Sequence, residues 1–190
     1  MPAADVESTV VAGMTAGLVG EAPFGAAASV AAGGSLDYDT VTKKLTYLGQ
    51  VLDETLRIYS PALTSISRKA LEDFEFDGIK YKAGTCFLIP QYHLQLDERF
   101  WPAPFEFDPD RFSRENAPSL YNGAHLPFGI GPRNCVGKQM ATFEVKYTAA
   151  RLVQNYRMEL GPSQKGVMEM DAYSFLSAPA NGPWIIFHKL

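Results

Sequence analysis

The sequence has few of the residues that mark secreted, redox-active or nucleic-acid-binding proteins. Its two cysteines, Cys86 and Cys135, are far apart and form neither a CxxC pair, nor a zinc-ligand pattern, nor a disulfide framework. We therefore expect a reducing, intracellular compartment. The net charge is −4 and no block of Lys or Arg occurs, so the basic footprint of a nucleic-acid-binding protein is missing and no nucleic-acid partner is expected.

Long apolar runs are also lacking. The longest uncharged run of the N-terminal segment, residues 22–36, has 15 residues, whereas a bilayer span needs about 20 apolar residues. Sixteen of the first 35 residues are Ala or Gly, and no Lys or Arg precedes Lys43, which fits neither a secretory signal nor a transit peptide. We predict a poorly ordered or weakly helical segment over residues 1–36 and one folded domain over residues 37–190.

The first clear structural signal in the sequence is a helix. We predict that it runs from a cap at Asp39 or Thr40 to Tyr59, where the following Ser-Pro pair ends it. Five apolar residues at helical spacing form one stripe: Leu45, Leu48, Leu52, Leu56 and Tyr59. Glu54 and Arg57 lie three residues apart on the opposite face. Their neighbours Val51 and Ile58 are apolar, which favours a buried ion pair over an ordinary solvated one.

The rest of the chain mixes strands, loops and one long helix. Alternating apolar residues around Asp77-Gly78 predict a hairpin, and residues 85–89 predict a strand in which Cys86 is inert core. Frequent prolines between residues 92 and 126 indicate ordered loop. Residues 138–157 predict a core helix, and residues 184–187 a C-terminal strand. The apolar face expected for that helix is Val136, Met140, Phe143, Tyr147 and Ala150, widened by Val145, Leu152 and Tyr156.

Residues 128–137 form a glycine-rich loop that delivers Cys135 to the start of this helix. Its three glycines, Gly129, Gly131 and Gly137, suit positive φ angles and the close approach of a flat ligand. The amides of Val136 and Gly137 are expected to point at the sulfur and favour a thiolate. A buried structural cysteine would explain the sulfur but not the arginine and glycines, and a phosphate loop would need other spacing.

The loop reads Phe-x-x-Gly-x-Arg-x-Cys-x-Gly, and this pattern resembles the haem-binding signature of the cytochrome P450 family of haem-thiolate monooxygenases. The helix with Glu54 and Arg57 is similar to the family's Glu-x-x-Arg helix, and residues 97–112 resemble its meander. The resemblance implies the C-terminal part of that fold, a mixed α+β structure that is mainly α. Its expected order is Glu-x-x-Arg helix, small β-sheet, meander, cysteine loop, long core helix and C-terminal strands.

The resemblance also implies roles for particular residues. Cys135 would be the axial thiolate and the metal ligand of b-type haem (iron protoporphyrin IX). The expected cofactor-binding residues are Phe128, Gly131, Arg133, Cys135, Gly137 and Arg68. Arg133 and Arg68 would neutralise the haem propionates, and Phe128 would cover the sulfur. Glu54 and Arg57 would form a buried structural network with Arg111.

Two positions depart from the family's pattern or leave a role open. Gln95 stands where relatives frequently have a histidine. His125 precedes the loop and is expected to be a satisfied or exposed histidine, with a propionate contact as an alternative.

By resemblance, the protein would insert one oxygen atom from O2 into a small apolar organic substrate, with electrons from a reductase on the side of Cys135. Family members are more than twice this long. Residues 10–15 faintly resemble the start of their oxygen-activating helix, but no acid-threonine pair follows. The alternatives are therefore a truncated haem-binding pseudoenzyme or non-catalytic fragment, and a haem-free interaction domain. In a full-length form, membrane association is a further expectation.

Overall fold

The computed structural model of the protein describes residues 35–62, 66–120, 123–162, 170–173, 176–180 and 183–190. The segment expected to be poorly ordered, residues 1–36, lies almost entirely outside these ranges. Within them the fold is mixed, with helices and small antiparallel sheets, as expected. No helix in the described ranges has both the length and the apolarity needed to span a bilayer.

In the described ranges, three α-helices carry the framework: α1 (Thr46–Ile58), α2 (Gln91–Gln95) and α3 (Lys138–Asn155). A π-helical turn, Thr40–Lys44, precedes α1. The connecting loops contain three short 3-10 turns: Pro109–Phe112, Ala117–Ser119 and Gly131–Arg133.

The start of α1 differs from the prediction. The sequence predicted one continuous helix from Asp39 or Thr40, but the chain leaves helical geometry at Leu45, where φ is −82° and ψ is 62°. The cap comes from Asp37, whose Oδ1 accepts a hydrogen bond from the Thr40 amide at 2.7 Å. The end of the helix is as predicted, since Tyr59 follows the last helical residue.

The strands of the described segments pair into four two-stranded antiparallel sheets. Their bounds are β1 (Ile66–Lys69), β2 (Phe74–Phe76), β3 (Ile79–Tyr81), β4 (Cys86–Ile89), β5 (Tyr156–Leu160), β6 (Met170–Tyr173), β7 (Leu176–Pro179) and β8 (Ile185–Lys189). The pairs are β1 with β4, β2 with β3, β5 with β8, and β6 with β7. The predicted hairpin is confirmed: Asp77 and Gly78 connect β2 to β3 with φ angles of 50° and 73°, typical of a tight two-residue turn.

The expectation that Cys86 is core is wrong. Cys86 is exposed in β4, whereas Phe87 and Ile89, on the other face of the strand, are half-buried. Strand side chains alternate between the two faces, and in this two-stranded sheet one face of β4 is left open. The apolar run predicted the strand but did not tell which face is covered.

The core lies between α1 and α3. The leucine stripe of α1 is buried as predicted, and it packs against Val145, Ala149 and Ala150 of α3. Burying a leucine side chain stabilises the folded state by about 1.5–3 kcal/mol. This contact therefore fixes the two helices relative to each other, and with them the loop that leads into α3.

The predicted apolar face of α3 is only partly buried. Ala150 is buried and Phe143 packs against the core, but Val136, Met140 and Tyr147 are exposed within the part of the chain that the structure describes. Contact with α1 is made by Val145 and Ala150 of the predicted face, together with Ala149. The helix also ends at Asn155, earlier than predicted, because the chain continues directly into β5.

A charged pair is buried beside this core. Glu54 and Arg57 both have no exposed side-chain surface. Arg57 Nε donates to Glu54 Oε2 at 2.7 Å and Arg57 Nη2 to Glu54 Oε1 at 2.8 Å, which is the forked geometry that suits a guanidinium and a carboxylate. Arg57 also donates to the carbonyls of Gln95 and Glu106, and its Cζ lies 5.1 Å from the Trp101 ring centroid.

Arg111, from the loop that resembles the meander, approaches the same carboxylate. Its Nε lies 3.4 Å from Glu54 Oε1, and its Nη2 donates to the Ala103 carbonyl at 3.0 Å. The Asp108 amide donates to Glu54 Oε1 at 3.0 Å. The structure thus brings together the three residues proposed as a network, and it attaches the loop around residue 108 to α1.

We predict that R57A lowers the free energy of unfolding by about 3–5 kcal/mol, because it removes the forked partner of a buried carboxylate and leaves Glu54 with only Arg111 and the Asp108 amide. The matched control is R99A, which removes the exposed ion pair with Asp97 and should cost far less. Urea denaturation of both variants measures the difference. Equal losses in the two variants would show that the buried network contributes no more than a surface pair.

Candidate functional site

The loop that presents Cys135 is held by its own backbone. The Gly129 amide donates to the Leu126 carbonyl at 3.0 Å, and the Cys135 amide donates to the Phe128 carbonyl at 2.8 Å. The Asn134 amide donates to the Gly131 carbonyl at 3.1 Å. These bonds close two turns in succession, so the cysteine is placed by backbone geometry.

Two of the three loop glycines have the expected conformation. Gly129 has a φ of 74° and Gly131 a φ of 78°, where a side chain would strain the backbone. Gly137 does not: its φ is −83°, so positive φ is not the reason for glycine there. A Cβ at Gly137 would lie 3.8 Å from Cys135 Sγ, so its small size keeps the surroundings of the sulfur free.

The sulfur of Cys135 is exposed and forms no disulfide. α3 begins at Lys138, so Val136 and Gly137 precede its first residue. No amide in the described part of the chain donates a hydrogen bond to Cys135 Sγ, so the structure does not contain the amide–sulfur contacts that we expected. An exposed thiol on a fixed loop is available as a donor to a ligand.

Cys135 opens into a cleft of about 220 Å³ whose walls are almost entirely apolar. The walls come from α1, the segment after it, the cysteine loop, α3 and β7. The residues that line the cleft are Leu52, Leu56, Pro61, Ala62, Pro127, Phe128, Cys135, Ala141, Thr142, Val145 and Leu176. The cleft therefore offers one sulfur donor on an apolar surface.

Two arginines lie near this loop without a carboxylate partner among the described residues. Arg133 is exposed on the 3-10 turn of the loop. Arg68 is in β1 and donates only to the neighbouring Ser67 carbonyl, at 2.8 Å. Ile66 lies on the same face of β1 as Arg68. If Gly129 carried a Cβ atom, that atom would lie 3.7 Å from Cδ1 of Ile66. That face of the strand therefore borders the cysteine loop.

Gln95 is a site residue that sequence reasoning missed. Its side chain is fully buried, and Nε2 donates to the carbonyls of Leu56 and Arg57 at 3.1 and 3.2 Å. Oε1 accepts from the Leu126 amide at 2.9 Å. The only available signal was that glutamine stands where histidine is frequent, which did not indicate what it would contact.

His125 is a satisfied histidine, as expected, and its partner is a backbone carbonyl. Its Nε2 lies 3.1 Å from the Asp53 carbonyl, and its ring packs on Phe112 at a centroid distance of 4.7 Å. A carbonyl can only accept, so Nε2 carries the proton. The bond ties the start of the loop to α1.

Asp53 and His125 respond to pH in opposite directions. Burial raises the pKa of Asp53 from 3.8 to about 6, against the opposing charges of Lys138 and Lys146. Burial lowers the pKa of His125 from 6.5 to about 4, although its bond to the Asp53 carbonyl opposes the change. The free-energy cost that burial of Asp53 imposes on folding grows as pH rises from 3.8 to about 6, because the carboxyl would ionise in the unfolded chain. The cost that burial of His125 imposes grows as pH falls from 6.5 to about 4, because the ring would be protonated in the unfolded chain.

We predict that D53N is stabilised relative to the wild-type protein, and that its advantage grows by about 2 kcal/mol between about pH 4.5 and pH 7.5. The reason is that only the wild-type protein must bury a carboxylate as pH rises. Urea denaturation at both pH values measures this change. The control D97N removes an exposed carboxylate whose hydrogen bonds to Arg99 hold its pKa at about 2, so it should show no such gain. A constant D53N advantage would contradict the prediction.

Comparison with known proteins agrees with these features. The family model described as Cytochrome P450 matches residues 29–186. Cytochrome P450 3A15 of Cavia porcellus is 42% identical over 119 residues, which cover 63% of this chain and 23% of that protein. Cytochrome P450 3A41 of Mus musculus is 41% identical over 122 residues, which cover 64% and 24%. Cytochrome P450 3A12 of Canis lupus familiaris is 40% identical over 119 residues, which cover 63% and 23%.

The chain thus spans about a quarter of the length of these relatives. The family match begins at residue 29, inside the segment 1–36 that composition had set apart. Because the match then continues through the Glu-x-x-Arg helix, the cysteine loop and α3, we conclude that this chain belongs to the cytochrome P450 family of haem-dependent monooxygenases.

Proposed function

We propose that the chain binds b-type haem with Cys135 as the axial thiolate and forms the thiolate side of a monooxygenase site. The observation that carries this proposal is the exposed Cys135 sulfur, which borders an apolar cleft on a loop fixed by its own backbone. Thiolate is an established haem ligand.

The residues around the cleft fit this group chemically. Haem has an apolar face and two carboxylates, and the structure offers an apolar lining and two arginines without carboxylate partners in the described ranges. Arg133 and Arg68 would hold the propionates through charge-assisted hydrogen bonds. Phe128 and Gly137 flank the sulfur, and Gly131 sets the turn before it. Phe128 would limit the access of water to the thiolate.

When bound through a thiolate, haem supplies oxygen activation, because the electron-rich sulfur favours O–O cleavage. The chain's own residues contribute binding and electrostatics. Cys135 donates the sulfur, Phe128 shields it, and the buried pair of Glu54 and Arg57 with Arg111 keeps the scaffold in place. The polarity around the sulfur sets the redox potential, as the surroundings of metal ligands do in general.

The proposed reaction is the insertion of one oxygen atom from O2 into a small apolar organic substrate. Electrons would come from a reductase that docks on the side of Cys135, where Arg133, Val136 and Lys138 are exposed. These are proposals for the chain as part of a complete site, since it spans about a quarter of its relatives' length.

A haem-binding pseudoenzyme or non-catalytic fragment is the second candidate, favoured by the missing acid-threonine pair after residues 10–15. Substrate-dependent consumption of a reductant and O2 separates it from a monooxygenase. A haem-free interaction domain is the third, and it would show no Soret band after haem is added.

We predict that the purified chain, loaded with haem and reduced under CO, gives the Soret band of thiolate-ligated haem, well to the red of the band of histidine-ligated haem. C135S should lose this band, because an alcohol does not replace the thiolate as a donor. The control C86S removes the other exposed thiol, which lies in β4, and should leave the band unchanged. A histidine-type band in the wild-type chain would exclude Cys135 as the ligand.

We further predict that R133A or R68A weakens haem binding by about 10- to 100-fold, because each removes a charge-assisted hydrogen bond worth about 1.5–3 kcal/mol. Transfer of haem to an excess of apomyoglobin measures the loss rate. The control is R114A, an exposed arginine outside the cysteine loop, which should release haem at the wild-type rate. Unchanged rates in R133A and R68A would remove the two arginines from the proposed site.

A further inference from the structure

Gln95 connects the end of α1 to the beginning of the cysteine loop. Three hydrogen bonds use its buried side-chain amide, two donated to the carbonyls of Leu56 and Arg57 and one accepted from the Leu126 amide. A buried polar group is costly unless it is hydrogen-bonded, so this set of partners defines one position for the amide. The amide in turn defines the position of Leu126 relative to α1.

From this geometry we infer that Gln95 is a positioning residue for Cys135, acting through Leu126. The inference rests on the proposed function, in which Cys135 is the haem ligand. It goes beyond that proposal because Gln95 touches neither the sulfur nor any residue to which the proposal assigns haem binding.

The connection from Gln95 to Cys135 runs through backbone hydrogen bonds. The Leu126 amide is held by Gln95, while the Leu126 carbonyl accepts from the Gly129 amide at 3.0 Å. The Phe128 carbonyl, two residues after Leu126, accepts a hydrogen bond from the Cys135 amide at 2.8 Å. A displacement of Leu126 therefore moves both turns that place the cysteine.

Gln95 also lies directly on the buried ion pair. Arg57 Nη1 donates to the Gln95 carbonyl at 2.9 Å, so the backbone of Gln95 is fixed by the guanidinium while its side chain fixes the loop. The charged and titratable groups next to it are Arg57, which donates to its carbonyl, Glu54, which pairs with Arg57, and His125, which precedes Leu126 in the chain. The amide itself does not titrate, which keeps the acceptor for Leu126 in place at every pH.

A histidine at this position would behave differently. Neutral imidazole can donate with one nitrogen and accept from the Leu126 amide with the other, but the protonated ring only donates. In Q95H, acid should therefore remove the acceptor for Leu126 and leave that amide buried and unpaired. Burial and the charge of Arg57 would place this transition below the ordinary histidine pKa of about 6.5.

The experiment compares Q95H with wild-type protein and with the matched control Q91H between about pH 8 and pH 4. Gln91 is buried in the same helix, and its Nε2 donates to the Ala62 carbonyl at 2.9 Å. Histidine can make that donation in both protonation states, so acid removes no partner of Leu126 in Q91H and should not speed exchange of the cysteine loop. The histidines already present in the chain are common to all three proteins and cancel in the comparison.

Hydrogen exchange of residues 126–135 in the haem-free chain is the first readout. At about pH 8 we expect Q95H to match wild type, and at about pH 4 we expect its Leu126 amide to exchange about tenfold faster or more than in wild type at the same pH. In the haem-loaded chain, acid should convert the thiolate-type CO band of Q95H, but not that of Q91H, towards a band without thiolate ligation.

Three outcomes would overturn the inference: no acid response in Q95H, an equal response in Q91H, or faster exchange throughout the α1–α3 core rather than in the loop. The last would mean that Gln95 serves stability alone. Q95L, which removes the donor and the acceptor together, should show the loop effect at every pH, and a wild-type loop in Q95L would also contradict the inference. If wild type gives no thiolate band, the proposed function fails, while the exchange data still test the link from Gln95 to the loop.

Discussion

The forked ion pair between Glu54 and Arg57 is the constraint on which the other parts depend. Both groups are fully removed from water, so each would carry a large desolvation cost if the other were lost. That cost favours further partners for both groups, and the partners come from outside α1. Arg111 and the Asp108 amide bind Glu54, and the Gln95 carbonyl binds Arg57. The pair thereby gives loops a fixed place that hydrophobic packing alone would not give them.

The cysteine loop depends on this arrangement indirectly, through Gln95. Gln95 transmits the position of α1 to Leu126, and two successive backbone turns transmit it to Cys135. The His125 bond to the Asp53 carbonyl is a second tie between α1 and the start of the loop. The position of the sulfur is thus set by hydrogen bonds between neutral groups, which do not change with pH near neutrality. The charged groups Glu54 and Arg57 do not contact the cysteine loop directly and act on it through Gln95.

Sequence reasoning performed well where the signal was local. The Asp77-Gly78 hairpin, the leucine stripe of α1 and the need for glycine at 129 follow from short-range geometry, and the structure contains all of them. It failed where burial depends on a distant partner. Cys86 is exposed, and α1 covers only part of the apolar face that was predicted for α3. Periodicity says that a helix has an apolar side, but only the neighbouring helix decides which side is covered.

The sequence by itself determined the chemistry of this protein: one cysteine in a glycine-rich loop, an arginine beside it, and a Glu-x-x-Arg helix upstream. Residue types at fixed spacing are enough for that, because loop conformation and donor identity are local properties. Only the tertiary structure decided what holds the loop, since Gln95 and Leu126 are 31 residues apart. The pairing of a buried amide with a backbone group that far away leaves no periodic mark in the sequence, and it forms because neither group could be buried alone.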